Sequence, residues 1–128
     1  MTRQYVEAVR GYNVDIIVTR KATPGWRLLG KHAVRLGGGK NYRHDLGVGV
    51  LIKANHIVAA GDITPAVELA RRHSYHLLKI EVEVETLEQV EEALQAGAEV
   101  IMLDNMSPAL LAEGVKIIGK RALVEASG

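Results

Sequence analysis

Short apolar runs in this sequence repeatedly end in, or alternate with, charged residues. Arg20 and Lys21 follow Ile16-Ile17-Val18-Thr19, and Lys53 follows Leu51-Ile52. Glu83 lies within Ile80-Glu81-Val82-Glu83-Val84-Glu85, Asp104 closes Val100–Leu103, and Glu125 lies within Leu123–Ser127. In chain order these charges divide by sign: Arg20, Lys21, Arg43 and Lys53, then Glu83, Asp104 and Glu125. The basic group suits a ligand with carboxylates or phosphate, since Arg forks onto pairs of oxygens and Lys acts as a point charge. The acidic group suits Mg²⁺, which takes one or two carboxylates together with phosphate oxygens and water. Together they point to an anionic organic substrate meeting a magnesium phosphate compound. The plainer alternative is that the cations and carboxylates simply neutralise one another.

Such charges can act together only if the elements carrying them end at the same place. Thr2–Arg10 reads as a short helix stopped near Gly11, and Asp15–Thr19 as a strand buried on both faces, as in a parallel sheet. Pro24-Gly25 breaks the run before a helix over Trp26–Leu36, with Leu28, Leu29 and Ala33 toward the sheet. Gly37-Gly38-Gly39 exceeds what a helix cap needs, and suits either a close approach to phosphate or a flexible helix exit. Lys40–Asp45 reads as a polar loop and Val48–Lys53 as the second strand. A helix over Asp62–His73 would turn Val67, Leu69 and Ala70 inward, and Leu77–Val84 would form the third strand. Thr86 caps a helix over Leu87–Ala96; Val100–Asp104, a helix from Ser107-Pro108 to Ile118, and Leu123–Ser127 complete the series. The order αβαβαβαβαβ has connections too long for hairpins, so the sheet should be parallel and its right-handed crossovers should gather the charged ends on one side. That side, the carboxyl ends of the strands, is where α/β folds keep their active sites.

The pleat refines this expectation. In Ile80–Glu85 the carboxylates share one face and the aliphatic residues the other, and Leu51 with Lys53, Met102 with Asp104 and Glu125 with Ser127 pair by the same rule. A half-exposed sheet would leave the acids in water. A barrel with a polar upper lumen would cover them, and cations or a metal must then offset the cost of burial. The 128 residues have the length of one domain, and with 48% hydrophobic and 24% charged residues they can bury a core. A net charge of +1 gives no general electrostatic case for nucleic acid or anionic membrane, and the absence of cysteine removes disulfides and thiolate ligands. A cytoplasmic protein without a signal peptide or membrane span is therefore expected. Among the histidines only His56, close behind Lys53, is placed to matter. Trp26 and Tyr42 are read as packing residues, and Glu88, Glu91 and Glu92 as a solvated helix face.

Seven segments occur in this order along the chain. They are Thr19-Arg20-Lys21-Ala22-Thr23-Pro24-Gly25, Gly37-Gly38-Gly39, Asn41-Tyr42-Arg43, Leu51-Ile52-Lys53-Ala54-Asn55-His56, Glu81-Val82-Glu83-Val84-Glu85, Leu103-Asp104-Asn105 and Glu125-Ala126-Ser127-Gly128. Together they resemble the quinolinate phosphoribosyltransferase family, the carboxylating nicotinate-nucleotide pyrophosphorylases, over nearly the whole chain. The resemblance implies a pentosyltransferase of NAD biosynthesis. Such an enzyme converts quinolinate and phosphoribosyl pyrophosphate, with Mg²⁺, into nicotinate mononucleotide, pyrophosphate and carbon dioxide. It carries the family's quinolinate and phosphate contacts onto Thr19, Arg20, Lys21, Arg43 and Lys53. The acidic positions near ribose and metal fall on Glu83 and Asp104, and the phosphate-binding turn on Ser127 and Gly128. Lys21, Lys53, Glu83 and Asp104 are thereby expected to be catalytic, with Glu83 and Asp104 serving Mg²⁺ directly or indirectly. Glu83 is preferred to Glu81 because it lies nearer the carboxyl end of the same strand face.

The implied fold is α/β, a partial TIM-like barrel of parallel strands spanning residues 1–128. Relative to the family it is incomplete at both ends, lacking the N-terminal domain and the last barrel units. In the family that N-terminal domain supplies substrate contacts to a partner subunit's barrel, so a homodimer or higher oligomer is implied, with neither nucleic acid nor membrane as partner. The chain by itself is expected to self-associate and to lack turnover. Val18, Tyr42 and Ala54 depart from the family's usual residues beside the Thr-Arg-Lys, Arg43 and Asn55-His56 positions, which leaves open a paralogue acting on another aromatic acid. A non-catalytic anion-binding remnant and a freestanding flavodoxin-like sheet are the other readings that the sequence permits.

Overall fold

β-Branched runs bounded by turn residues, alternating with amphipathic segments that carry their own caps, favour a succession of strands and helices. The computed structural model bears this out, and it describes residues 1–19, 23–41 and 49–128. They fall into two compact units, residues 1–48 and 49–128.

In the first unit, α1 (Thr2–Ala8), β1 (Ile17–Val18), α2 (Arg27–Leu36) and β2 (Lys40–Asn41) follow one another. β1 and β2 pair in parallel, Ile17 opposite Lys40 and Val18 opposite Asn41. The expected Asp15–Thr19 strand is thus shorter, and it is not buried on both faces, since Ile17 is exposed. Lys40-Asn41 was expected to be loop, because two polar residues carry no periodicity; the ladder with β1 makes them a strand. The apolar side of α2 also departs from expectation. Leu28 and Leu29 are 77% and 62% exposed and Ala33 is exposed too, whereas Lys31 is buried. The three glycines serve packing. A Cβ on Gly37 would stand 2.7 Å from the Thr2 Cβ, and one on Gly39 would stand 2.9 Å from Val34 Cγ1 and 3.1 Å from the Ile16 carbonyl. Gly38 between them takes a φ of +87°, where a side chain is disfavoured.

In the second unit, the elements are β3 (Val50–Ile52), α3 (Ala54–Ala60), α4 (Ile63–His73), β4 (Ile80–Val84), α5 (Leu87–Gln95), β5 (Val100–Asp104), α6 (Pro108–Ile118) and β6 (Leu123–Ser127). The strands form one parallel sheet in the order β3-β4-β5-β6. This is an α/β arrangement of TIM-like, partial-barrel type, and the strands of the described residues do not close on themselves. β4 starts at Ile80, leaving Leu77 exposed, and Leu69 also faces outward rather than into the core. α3 is an element the sequence did not announce. Successive registers run Leu51–Glu81–Val100–Leu123 and Ile52–Val82–Ile101–Val124. Ile52, Ile80, Val82, Val84, Ile101 and Leu103 form the helix-side face and are all buried, packing with Ile63, Val67, Val90 and Ile118 of α4, α5 and α6. Among the described residues no helix is long and apolar enough to cross a membrane.

Candidate active site

With one sheet face committed to the helices, the alternate residues of β3 to β6 must point the other way. That face carries Leu51, Glu81, Glu83, Val100, Met102, Asp104, Leu123, Glu125 and Ser127 in register. Its acids do not stand in open water: Glu81 is 2% exposed, and Glu83, Asp104 and Glu125 are half-buried. The half-exposed-sheet alternative therefore fails at Glu81. Polarity increases toward the carboxyl ends, where Lys53 follows β3, Glu83 nears the end of β4, and Asp104 and Ser127 end β5 and β6.

Lys53 Nζ donates to Glu83 Oε2 in an ion pair whose carboxylate side is the more deeply buried. The chain thus brings a cation from the basic group directly onto an acid from the acidic group. Asp104 is opposite Ser127 in register, and the Asn105 N–H continues the ladder by donating to the Ser127 carbonyl at 3.1 Å. The Asn105 amide nitrogen, Nδ2, donates to Asp104 Oδ2 at 2.9 Å. Gly128 lies against Asn105, its open Cβ direction 3.8 Å from the Asn105 nitrogen. Asn105 was visible in the sequence only as part of a motif. A hydrogen-bonding turn residue directly after a strand-end acid, ahead of Ser107-Pro108, is the local signal that could have singled it out.

His56 has a structural duty. Its Nδ1 accepts the Lys53 N–H at 3.0 Å, closing the first turn of α3 and placing the ring proton on Nε2. Thr19 lines a 450 Å³ cavity in the first unit together with Val18, Trp26, Leu29 and Val34. That volume is within the range of small-molecule sites. Arg20, Lys21, Arg43 and Tyr42 lie outside the described residues. At the opposite, amino-terminal end of the sheet, Arg71 binds Glu99 Oε1 at 2.8 Å and the Gly97 carbonyl at 2.7 Å. Glu99 Oε2 in turn accepts the Ile80 N–H at 2.9 Å. Burial alone would raise the Glu99 carboxyl, but the hydrogen bonds from Arg71 and Ile80 and the Arg71 charge outweigh it, and its pKa is lowered. Glu92, expected on a solvated face, instead accepts from the Thr64 N–H at 2.9 Å and from its hydroxyl at 3.0 Å.

Among the described residues no three His, Asp or Glu side chains come together as a metal cage. Glu83 and Asp104 are hard oxygen donors near neighbouring strand ends, a donor set that fits an ion taking its remaining ligands from phosphate and water.

Comparison with known proteins adds the family dimension. The family profile described as "Quinolinate phosphoribosyl transferase, C-terminal domain" matches residues 1–128. A Synechocystis protein named probable nicotinate-nucleotide pyrophosphorylase [carboxylating] is 48% identical over 131 residues, covering 100% of this chain and 44% of that protein. The human nicotinate-nucleotide pyrophosphorylase [carboxylating] is 41% identical, with 96% of this chain and 43% of the relative covered. The crystal structure of NadC from Streptococcus pyogenes superposes with a TM-score of 0.93 at 42% identity, over 100% of this chain and 45% of that one. The chain spans less than half the length of the relatives it matches.

Proposed function

Because this chain belongs to the quinolinate phosphoribosyltransferase C-terminal domain family, we propose that it carries the group-transfer site of a carboxylating nicotinate-nucleotide pyrophosphorylase. The proposed substrates are quinolinate and phosphoribosyl pyrophosphate, and the proposed products are nicotinate mononucleotide, pyrophosphate and carbon dioxide. The observation that carries this reading is the gathering of Lys53, Glu83, Asp104 and Ser127 at the carboxyl ends of adjoining strands of one sheet.

On this reading the cation and the acid separate as substrates arrive. Lys53, with Arg20, Lys21 and Arg43, holds the ring carboxylates and phosphate, and a multiply charged ligand competes with Glu83 for the ammonium. Glu83 is then released to face the ribose beside Asp104. As the ring nitrogen bonds to the anomeric carbon, the bond to pyrophosphate breaks and its electron pair leaves with pyrophosphate. The two carboxylates stabilise the positive charge that develops on the sugar. The alkylated ring nitrogen is cationic, so the adjacent carboxylate leaves as carbon dioxide and its bonding pair stays on the ring carbon, which takes a proton from water. Glu83 and Asp104 would hold Mg²⁺ directly or through water, where the ion would neutralise pyrophosphate charge. Thr19, Ser127 and Gly128 would contribute contacts to the phosphates and carboxylates.

The test is pyrophosphate and carbon dioxide release from both substrates with Mg²⁺, using the longest polypeptide that the gene encodes. Glu83→Gln keeps the side chain's shape but loses its charge, so turnover should fall by about 10²–10³-fold while quinolinate affinity changes little. No quinolinate-dependent release by the wild type would sink the proposal.

A further inference from the structure

Asn105 occupies a backbone conformation that no other non-glycine residue adopts among the described residues, with φ at +53°. A side chain there is disfavoured, and glycine would take the position more cheaply. Asparagine tolerates the left-handed region better than most residues, but its presence where glycine suits the backbone calls for a use of its amide. The structure supplies that use: Nδ2 donates to Asp104 Oδ2 at 2.9 Å, while the Asn105 backbone N–H binds the Ser127 carbonyl at 3.1 Å.

We propose that Asn105 is a positioning residue for Asp104 in phosphoribosyl transfer, an inference that rests on the function proposed above. The left-handed turn brings the amide back onto the preceding residue's carboxylate, and the bond to β6 anchors the turn. Asp104 is half-buried at a strand end, where its carboxylate could otherwise rotate among several orientations. The amide engages Oδ2 and leaves Oδ1 for a ribose hydroxyl or the developing sugar cation. An aspartate at position 105 would accept the same turn but set a like charge beside Asp104, and glycine would accept the turn and keep the backbone bond to Ser127 but offer Asp104 no side-chain donor.

These differences give the experiment. In the longest polypeptide that the gene encodes, kcat, quinolinate KM and thermal midpoint are measured for the wild type, Asn105→Gly and Asn105→Asp. Asn105→Gly relieves the backbone, so its midpoint should equal or exceed that of the wild type. Its kcat should nevertheless fall about tenfold, the scale of a lost hydrogen bond to a charged group, with quinolinate KM within about twofold. Asn105→Asp should be slower still. Equal kcat in wild type and Asn105→Gly would overturn the inference, as would a fall in kcat that merely follows a fall in midpoint. A wild type without turnover overturns the proposed function and this inference with it. An active wild type with an unimpaired Asn105→Gly overturns the inference alone.

Discussion

Glu83 and Glu99 are both carboxylates beside a cation, yet they stand at opposite ends of the parallel strands and should answer to different experiments. Glu99 joins Arg71 and the Ile80 N–H, and its pKa is lowered in the fold. The folded form therefore binds a proton there less readily than the unfolded chain does. Its contribution to stability is complete above the unfolded carboxyl's value of 4.5 and is lost as pH falls through the lower folded value. A denaturation series from pH 7 to pH 3 should show this loss in the wild type and a flatter acid limb in Glu99→Gln. An unchanged slope in that variant would remove Glu99 from the acid response. Glu83→Gln should instead leave the midpoint nearly unmoved and depress turnover. The sequence exposed Glu83 because alternation within one strand shows it. It hid Glu99 because its cation lies 28 residues away, on another element.

At the scale of elements, the parts read correctly are those whose signals are local. Thr86 and Gln89 close a capping box: the Gln89 N–H reaches Thr86 Oγ1 at 3.3 Å, and Gln89 Oε1 accepts from Glu85 and Thr86. Thr86→Ala should cost about 0.5–2 kcal/mol in a urea melt, and a value near zero would mean that α5 is held by its buried face alone. Ser107 with Pro108 starts α6 in the same legible way. α3 was missed because its first turn is closed by a histidine ring rather than a usual cap. β2 was missed because two polar residues become a strand only through β1. The apolar residues of α2 misled in the other direction, as helical spacing says that Leu28 and Leu29 share a side but not what covers it.

At the scale of the whole molecule, burial is uneven. Among the described residues every member of the buried apolar core, from Ile52 to Ile118, belongs to the second unit, while the first exposes Tyr12, Trp26, Leu28, Leu29 and Leu36. Trp26 is the only tryptophan, so its fluorescence reports on the first unit, while most helix and strand that far-ultraviolet dichroism sees lies in the second. The fluorescence transition should come at the lower denaturant concentration, and coincident transitions would contradict this. Ile101→Ala, at a fully buried position of β5, should cost about 2–5 kcal/mol in the dichroism transition. The strict two-residue alternation of β4 to β6 also bears on how such a protein can vary over evolutionary time. Removing one residue inside β5 would send Asp104 to the helix-packed side of the sheet and Leu103 to the polar side, disrupting the strand-end carboxylate and the core in one event. Substitutions can sample either face one residue at a time, but changes of length cannot. Insertions and deletions among this protein's descendants should therefore collect in the turns, leaving the strand lengths fixed.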